Sequence, residues 1–290
     1  MAKSSLRLPD NAPGDLYVDS SCIDCDTCRW MARATFDSNG SQSVVTRQPE
    51  TEGEWAAAFR ALVSCPTSSI GVERRHDVAA GAATLPLEVE PRVLHCGYHA
   101  ESSFGAASYL LLRNDGNVLF DSPRFARPLV RRIEELGGVS LMVMSHKDDV
   151  ADHAQWAAHF GCERVMHADD VNAGTAMVER QVSGTDPIAL AGDLLYVPTP
   201  GHTEGSACLL FEERVLLSGD HVAWSDRLDR IIAFRRACWF DWDVQIESMR
   251  RTAELRFEAI LPGHGRPCRF PYEEMARRMR ECVAWMEEQR

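Results

Sequence analysis

Three cysteines, Cys22, Cys25 and Cys28, stand at C-x2-C-x2-C spacing, and Cys65 follows at a distance in a Cys-Pro step. Thiolates at this spacing can wrap one short loop around three corners of a cuboidal iron-sulfur cluster, which a distant fourth thiolate completes. A mononuclear zinc site more usually takes its ligands as two C-x2-C pairs, which leaves no role for the third closely spaced cysteine. The pattern therefore favours iron and sulfide over zinc.

Residues 14–71 resemble the single-cluster bacterial ferredoxins, in which C-x2-C-x2-C is followed by a distant Cys-Pro. A two-cluster ferredoxin would repeat the motif and place Cys-Pro only a few residues after the third cysteine, and this chain does neither. The resemblance implies one 4Fe-4S cluster bound by Cys22, Cys25, Cys28 and Cys65. The cluster could transfer electrons, act as a sensor or a docking element, or stabilise a module too small to build its own core.

A second set of potential ligands follows the ends of predicted strands. The apolar segment Ser140–Met144 leads into Ser145–His153, which is rich in His and Asp. Three later strands are followed by Pro-Gly-His202, Ser-Gly-Asp220 and Pro-Gly-His264. The glycine before each of these residues allows the backbone to bend and to approach a metal closely.

These blocks, in this order, resemble the metallo-β-lactamase fold of metal-dependent hydrolases, which carries H-x-H-x-D-H, a Gly-His, a bridging Asp and a last His. The resemblance covers about residues 90–290. It implies an αβ/βα sandwich with one or two divalent metal ions at one edge. By matched position, the ligands would be His146 and His202 for one metal, Asp152, His153 and His264 for the second, and Asp220 between them.

The motif departs from the family at its second histidine, since the segment reads H-x-D-x-x-x-D-H and is two residues longer. Asp148 stands in the vacant place. A carboxylate favours iron or manganese relative to zinc, and a similar change, to Glu, occurs in the flavodiiron branch of this fold. Asp148 could equally be a loop carboxylate ahead of a helix. Lys147 and Asp149 are expected to be solvated or to lie behind the ligands.

The predicted elements divide the chain into a small module and a larger part in which strands and helices alternate. In the small module we predict strands at Leu16–Val18 and Ser43–Thr46 and a helix at Glu54–Leu62. Residues 72–91, which are rich in Ala, Gly and Pro, are predicted to be a linker. The expected fold class is α+β, with a ferredoxin-like module at residues 14–75 followed by a metallo-β-lactamase αβ/βα sandwich at residues 88–290.

The amino-acid composition indicates which classes of partner and which cellular compartment to expect. The 290 residues contain 31 Lys and Arg against 43 Asp and Glu, for a net charge of -12, so a nucleic-acid partner is not expected. No apolar run reaches the ~20 residues of a membrane span, and the opening has no apolar leader, so the chain is predicted to be cytoplasmic. In that compartment the ten cysteines are expected to be thiols or ligands rather than disulfides.

Two further segments contain reactive or aromatic side chains. His95, Cys96 and His99 match no ligand spacing and are expected to take part in packing and loop hydrogen bonds. Trp224–Trp242 joins three Trp, two Phe and four Arg directly after Asp220. This stretch could form the wall of a pocket for an anionic, partly apolar substrate, or it could pack on the ferredoxin module.

Three functions are compatible with this sequence. The first is a metal-dependent hydrolase of an ester, thioester, lactone or related small substrate, in which Asp152 orients a hydroxide formed at the metal. The second is a redox enzyme with a carboxylate-rich di-iron site around Asp148, fed with electrons by the ferredoxin module and a redox partner protein. The third is an electron-transfer or binding protein whose second domain is not catalytic. No motif specifies the substrate.

Overall fold

The computed structural model describes residues 2–290, which form two compact units. The first unit contains the chain through Leu112 together with Pro123–Gly138, and the second contains Arg113–Ser122 and Val139–Arg290. Each unit therefore includes one short segment from the middle of the chain, Pro123–Gly138 in the first and Arg113–Ser122 in the second. The domain bounds expected at residues 14–75 and 88–290 stay a prediction.

The first unit is built from short antiparallel strands and a few helices. In chain order these are β1 (Leu16–Val18), α1 (Thr27–Met31), β2 (Phe36–Ser38), β3 (Ser43–Val45), α2 (Glu52–Ser64), β4 (Ile70–Val72), α3 (Val78–Ala82), β5 (Leu87–Glu90), β6 (Val93–His95), β7 (Tyr109–Leu111) and α4 (Arg127–Glu135). Strand β1 pairs with β4 and β2 pairs with β3, while β6 lies between β5 and β7.

Helix α2 ends at the fourth cysteine of the predicted cluster site. The helix begins with a capping box, in which the Thr51 hydroxyl accepts from the Glu54 amide and the Glu54 carboxylate accepts from the Thr51 amide. It ends at Ser64, and Cys65 is extended. The reason is Pro66, because a proline disfavours the helical conformation of the residue before it. The Cys-Pro step therefore sets both the end of the helix and the direction of the Cys65 side chain.

The linker predicted over residues 72–91 is wrong in part, because it contains α3 and β5. Asp77 caps α3 by accepting from the amide of Ala80 at 3.3 Å. Gly81 in α3 lies against α2, so a Cβ there would come 2.4 Å from the Cβ of Phe59. The run of alanines has high helix propensity but no apolar period, which is why the periodicity did not indicate a helix.

The second unit contains the remaining strands and helices. They are β8 (Val118–Phe120), β9 (Leu141–Val143), α5 (His153–Phe160), β10 (Glu163–His167), β11 (Arg180–Val182), β12 (Ile188–Ala191), β13 (Leu194–Pro198), β14 (Ala207–Phe211), β15 (Val215–Gly219), β16 (Ala223–Ser225), β17 (Arg230–Ile232), α6 (Trp242–Ala253), β18 (Ala259–Pro262), β19 (Cys268–Arg269) and α7 (Tyr272–Glu288). Strands β8 to β11 are parallel in that order. A second sheet has the order β12-β13-β14-β15-β18-β19, in which only β15 and β18 are parallel.

The strands that lead to the site are almost wholly apolar and buried. Val118, Leu119 and Phe120 of β8 have no exposed surface, and neither do Val215 and Leu216 of β15. Strands covered on both faces are expected to be continuous apolar runs of this kind. One buried cluster joins β15 and β18 to α6 and α7. Rigid, buried strands therefore position the loops that follow them.

Within residues 2–290, none of the helices is both long enough and apolar enough to cross a membrane.

Candidate metal centres

The four cysteines of the predicted cluster site line one cavity in the first unit, with Thr27, Ser43, Thr67 and Ser69 among the polar groups around them. Cys22 and Cys25 lie in the loop before α1, where Asp24 and Asp26 adopt the left-handed conformation with φ of 60° and 69°. These two turns coil the loop so that its thiols face inward.

The separation of the sulfurs distinguishes a cluster from a zinc ion. A tetrahedral zinc with bonds of ~2.3 Å holds its sulfurs about 3.8 Å apart. Across the described residues 2–290, no three cysteine Sγ atoms lie within 4.8 Å of one another. All four thiols line the same cavity, and four thiolates are the donor set of a cuboidal cluster. The donor set and its spacing therefore agree with iron and sulfide.

Burial makes thiolates at Cys25 and Cys28 unfavourable unless a cation is bound beside them. Burial, together with repulsion from the neighbouring thiolates, raises the pKa of Cys25 to about 11 and raises the pKa of Cys28 further. Metal coordination deprotonates such thiols. The amide of Ser69 donates to Cys65 Sγ at 3.3 Å, and the Thr27 hydroxyl lies 3.4 Å from Cys25 Sγ. Donors of this kind tune the potential of a cluster.

Sequence-predicted ligands from four separate loops meet in the second unit. His146 and Asp148 follow β9, His202 follows β13, Asp220 follows β15, and His264 follows β18. The structure forms two groups of three residues, and within each group the ligand atoms lie within 4.8 Å of one another. The first group is His146, Asp148 and His202. The ends of these strands thus bring together residues that are up to 118 positions apart, from 146 to 264.

Asp220 is central to this cluster, hereafter the His-Asp site. Its Oδ2 lies 3.9 Å from His146 Nε2 and 3.7 Å from His202 Nε2. Both Asp220 oxygens lie 2.9 Å from His264 Nδ1. Burial alone would raise the pKa of Asp220, but His264 and the other two imidazoles lower it overall. The carboxylate is therefore placed to contact cations on two sides.

Asp149, which the sequence analysis expected to be solvated or behind the ligands, forms part of the His-Asp site. It is 1% exposed, and its Oδ2 lies 4.0 Å from His146 Nε2. His146, Asp149 and Asp220 form the second group within 4.8 Å. A Cβ on Gly263 would come 3.0 Å from both Asp149 and Asp220, so a larger residue there would have to displace these carboxylates. The available signal was the Asp148-Asp149 doublet beside His146, since the longer segment breaks one-to-one matching with the family motif.

Asp152 and His153, which were expected to bind the second metal, are not among the ligand atoms that the structure brings together. Neither residue belongs to either group of ligand atoms. Asp152 precedes the first residue of α5 and accepts from Gln155 Nε2 at 3.0 Å. His153 is buried, and its Nδ1 lies 3.2 Å from a guanidinium nitrogen of Arg164. A guanidinium only donates, so His153 Nδ1 accepts from Arg164, and burial together with the Arg164 charge lowers the pKa of His153.

The His-Asp site contains buried polar atoms that lack any hydrogen bond within residues 2–290. They are His146 Nε2, both ring nitrogens of His202 and both carboxylate oxygens of Asp149. Unpartnered buried groups are costly unless something satisfies them, and divalent cations bind such nitrogens and oxygens. Burial also lowers the pKa of His146 to about 4, which keeps the ring in its neutral, ligating form. The donor set therefore fits one or two divalent metal ions.

A hydrogen-bonded chain orients His146. The amide of Ser145 donates to Asp121 Oδ1 at 2.7 Å, and its hydroxyl donates to Asp121 Oδ2 at 2.9 Å. The Ser145 hydroxyl lies 2.8 Å from His146 Nδ1, so this nitrogen donates and the Nε2 lone pair faces the site. Outer partners of this kind fix the tautomer of a metal-binding histidine.

Asp170 connects two of the ligand loops. Its buried carboxylate accepts from the amide of Lys147 at 3.0 Å, from the amide of Gly205 at 2.9 Å, and from the hydroxyl of Thr203. Lys147 adjoins His146 and Thr203 adjoins His202. One side chain thus fixes the spacing of the loops that present both imidazoles.

Exposed aromatic side chains lie at the mouth of the His-Asp site. The amides of Trp239 and Phe240 donate to the carbonyl of His202 at 2.8 and 3.2 Å. Their side chains are 65% and 48% exposed, and the Trp239 ring lies 6.4 Å from the His202 ring. Within the predicted aromatic stretch, Trp242 is instead buried against α7. The exposed part of the stretch therefore contributes apolar surface beside His202.

Comparison with known proteins agrees with both parts of this description. The family described as the 4Fe-4S single cluster domain of Ferredoxin I matches residues 18–72. No curated protein matches the chain. Among solved structures, a metallo-beta-lactamase family protein from Thermus thermophilus aligns over 70% of this chain and 81% of its own, with 17% identity and a TM-score of 0.50. A metallo-beta-lactamase from Hirschia baltica aligns over 68% of this chain and 96% of its own, with 13% identity and a TM-score of 0.52.

These similarities confirm the resemblance of the first part to the single-cluster ferredoxins and of the larger part to the metallo-β-lactamase fold. The chain joins a single-cluster 4Fe-4S ferredoxin domain to a metallo-β-lactamase fold. At 13% to 17% identity, the solved structures establish the fold of the larger part and leave its reaction open.

Proposed function

We propose that the second unit is a metal-dependent hydrolase of a small ester, thioester, lactone or related carbonyl substrate. The observation that supports it most is the set of unpartnered, buried ligand atoms on His146, His202 and Asp149. Structural polar groups in a protein interior are normally hydrogen-bonded to one another. Here they face a common point at the ends of the strands instead.

The residues divide into two sets of ligands. His146, Asp148 and His202 would hold one ion, while Asp149 and His264 would hold a second, with Asp220 between them. When bound, such ions supply Lewis acidity and lower the pKa of a water molecule to about 7. Asp149 takes the orienting role that the sequence analysis assigned to Asp152, because its carboxylate faces the site. Trp239 and Phe240 would contact the apolar part of the substrate.

A second candidate, a redox enzyme, is favoured by the same ligands. Asp148, Asp149 and Asp220 make the site rich in carboxylates, a donor set that suits iron or manganese better than zinc. In this alternative, the ferredoxin domain and a redox partner protein would supply electrons to a di-iron site. Zinc in the His-Asp site favours the hydrolase, and iron there favours the redox enzyme.

The deciding experiment begins with anaerobic purification and a count of iron, sulfide, zinc and manganese per chain. The protein is then assayed against esters, thioesters and lactones, with Asp149→Asn and Asp220→Asn as variants and Asp169→Asn as a matched control. The proposal predicts hydrolysis that both site variants abolish and the control retains. Full activity in Asp149→Asn would refute the assignment of that carboxylate.

The chemistry of the two sites also suggests a cellular location and a set of partners. The reduced thiols and the air-sensitive type of cluster fit the cytoplasm, where we place the protein. The partners would be a small-molecule substrate and, for the ferredoxin domain, a one-electron redox protein.

A further inference from the structure

His95 and His99 form a buried pair within the first unit. Their Nε2 atoms lie 2.8 Å apart, and the two residues are 0% and 1% exposed. The His95 ring packs edge-on against Trp30 of α1 at 4.8 Å and lies 5.8 Å from the ring of Tyr109. Two imidazoles at this distance share one proton, so the pair has a defined direction of donation.

That direction follows from the carbonyl of Gly105, which can only accept. His99 Nδ1 lies 2.6 Å from this oxygen and must donate to it. The Nε2 atom of neutral His99 is then an acceptor, so His95 Nε2 donates across the pair. His95 Nδ1 is left as an unprotonated lone pair, and this buried atom has no hydrogen-bond partner within residues 2–290.

The other end of the pair leads to a cluster ligand. The hydroxyl of Thr27 lies 3.1 Å from His99 Nδ1 and 3.4 Å from Cys25 Sγ. A Cys25 thiolate cannot donate, so in the loaded protein the hydroxyl donates to sulfur. Gly105, at φ +85°, brings this loop so close that a Cβ would lie 3.0 Å from Cys25 Sγ. Cys25, Thr27, His99 and His95 thus form one continuous chain of polar contacts.

We infer that His95 Nδ1 is the proton-accepting site of a proton-coupled electron transfer at the ferredoxin domain. One electron from a one-electron donor enters the cluster, and one proton from solvent forms an N–H bond at His95 Nδ1. No other bond breaks, and the added charges cancel. The unpartnered lone pair of His95 Nδ1 gains a proton only when the electron adds negative charge at Cys25, the other end of this series of polar contacts.

The surroundings of His95 agree with a neutral resting state. Burial, and secondarily the charge of His99, lower the pKa of His95 well below its ordinary value. The other titratable groups that face the pair are Tyr109 from β7, the adjacent Cys96, whose own pKa is raised to about 12 by burial, and Cys25 through Thr27. Reduction of the cluster is therefore the event that changes the local charge near neutral pH.

The test is the pH dependence of the cluster's reduction potential in the full, cluster-loaded chain. Dithionite serves as the electron donor, and the visible absorption is followed anaerobically between about pH 5 and 9. A couple that takes up one proton per electron shifts by 59 mV for each tenfold change in proton concentration. We expect this slope over part of the range in the parent and a flat potential in His95→Gln, whose amide can still donate to His99 but cannot take up a proton.

His76→Gln is the matched control, because His76 lies in the same unit but pairs with Asp15 and stacks on Trp55. It should keep the slope of the parent. His99→Gln, which breaks the chain at its middle, should flatten the potential like His95→Gln and serves if that variant loads poorly. A pH-independent potential in the parent would overturn the inference, and so would an unchanged slope in both pair variants. Each result is independent of the activity of the second unit.

Discussion

The Nε2 atom of His146 and the Oδ2 atom of Asp149 lie 4.0 Å apart in the second unit, and neither has a hydrogen-bond partner within residues 2–290. Both residues are 1% exposed. An imidazole and a carboxylate at this distance, buried and unpaired, are arranged for a common cation. Asp152, at the start of α5, belongs to neither group of ligand atoms.

We therefore predict opposite results for two aspartates. Asp149→Ala should weaken metal binding at the His-Asp site by at least about tenfold, since even the outer partners of metal ligands contribute that much. Asp152→Ala should leave metal content unchanged, because its carboxylate accepts from Gln155 and belongs to neither group of ligand atoms. Metal per chain after dialysis against a weak chelator measures both. Equal loss in the two variants would contradict the placement of Asp149.

The identity of the metal depends on Asp148. Its Oδ2 lies 4.0 Å from His146 Nε2 and 3.9 Å from His202 Nε2, although its side chain is 48% exposed. Asp148→His should shift preference from iron or manganese towards zinc, because the softer nitrogen suits zinc better. Occupancy under competition between iron and zinc is the measurement. Identical occupancy in the parent, Asp148→His and Asp148→Asn would exclude Asp148 as a ligand.

Asp170 should contribute to metal affinity without binding the metal. Asp170→Ala leaves the donors on Lys147, Thr203 and Gly205 unsatisfied and frees the loops of His146 and His202. We expect metal affinity to fall by about 10- to 100-fold. Asp169→Ala is the control, because the neighbouring carboxylate is 52% exposed. Isothermal titration of the metal-free proteins would show whether the two differ.

Removal of the metal should make stability depend on pH through Asp121. Burial raises the pKa of this carboxyl to about 8, whereas an unfolded Asp titrates near ~4. Between these two pKa values the folded state binds more protons than the unfolded state. The free energy of unfolding of the metal-free protein therefore decreases as the pH rises from about 4 to 8, by at most about 1.4 kcal/mol per pH unit from this group. Thermal unfolding at several pH values tests this, and Asp121→Asn should flatten the profile. A rise in stability over that interval would refute it.

The cluster prediction concerns Cys25. Cys25→Ala should remove most of the brown colour and the iron of anaerobically purified protein, and it should destabilise the small cysteine-bearing module, which has few strands and a small core. Cys162→Ala is the control, since Cys162 is buried in the second unit away from the cavity. Unchanged colour and iron content in Cys25→Ala would refute the assignment.

Local physical chemistry determined much of this protein before any tertiary contact is considered. The strand predicted at Leu16–Val18 is β1, and the helix predicted at Glu54–Leu62 lies within α2 at Glu52–Ser64. The cysteine spacing and the order of the ligand blocks along the chain indicated both domains, and the comparisons confirm that interpretation. These features depend on residues close in sequence, whose side-chain types and spacing can be read directly.

Only the tertiary structure decided which residues meet. Asp149 belongs to a ligand group, and Asp152 and His153 do not. The loop after β9 turns tightly, with Ala151 at a positive φ of 30°, and α5 then directs His153 towards Arg164. His99 contacts Thr27, which is 72 positions away, only because β6 and the loop after it fold back over the cysteine-bearing module. Such contacts join residues far apart in the sequence, so their distances depend on the packing of the whole unit and not on any local pattern.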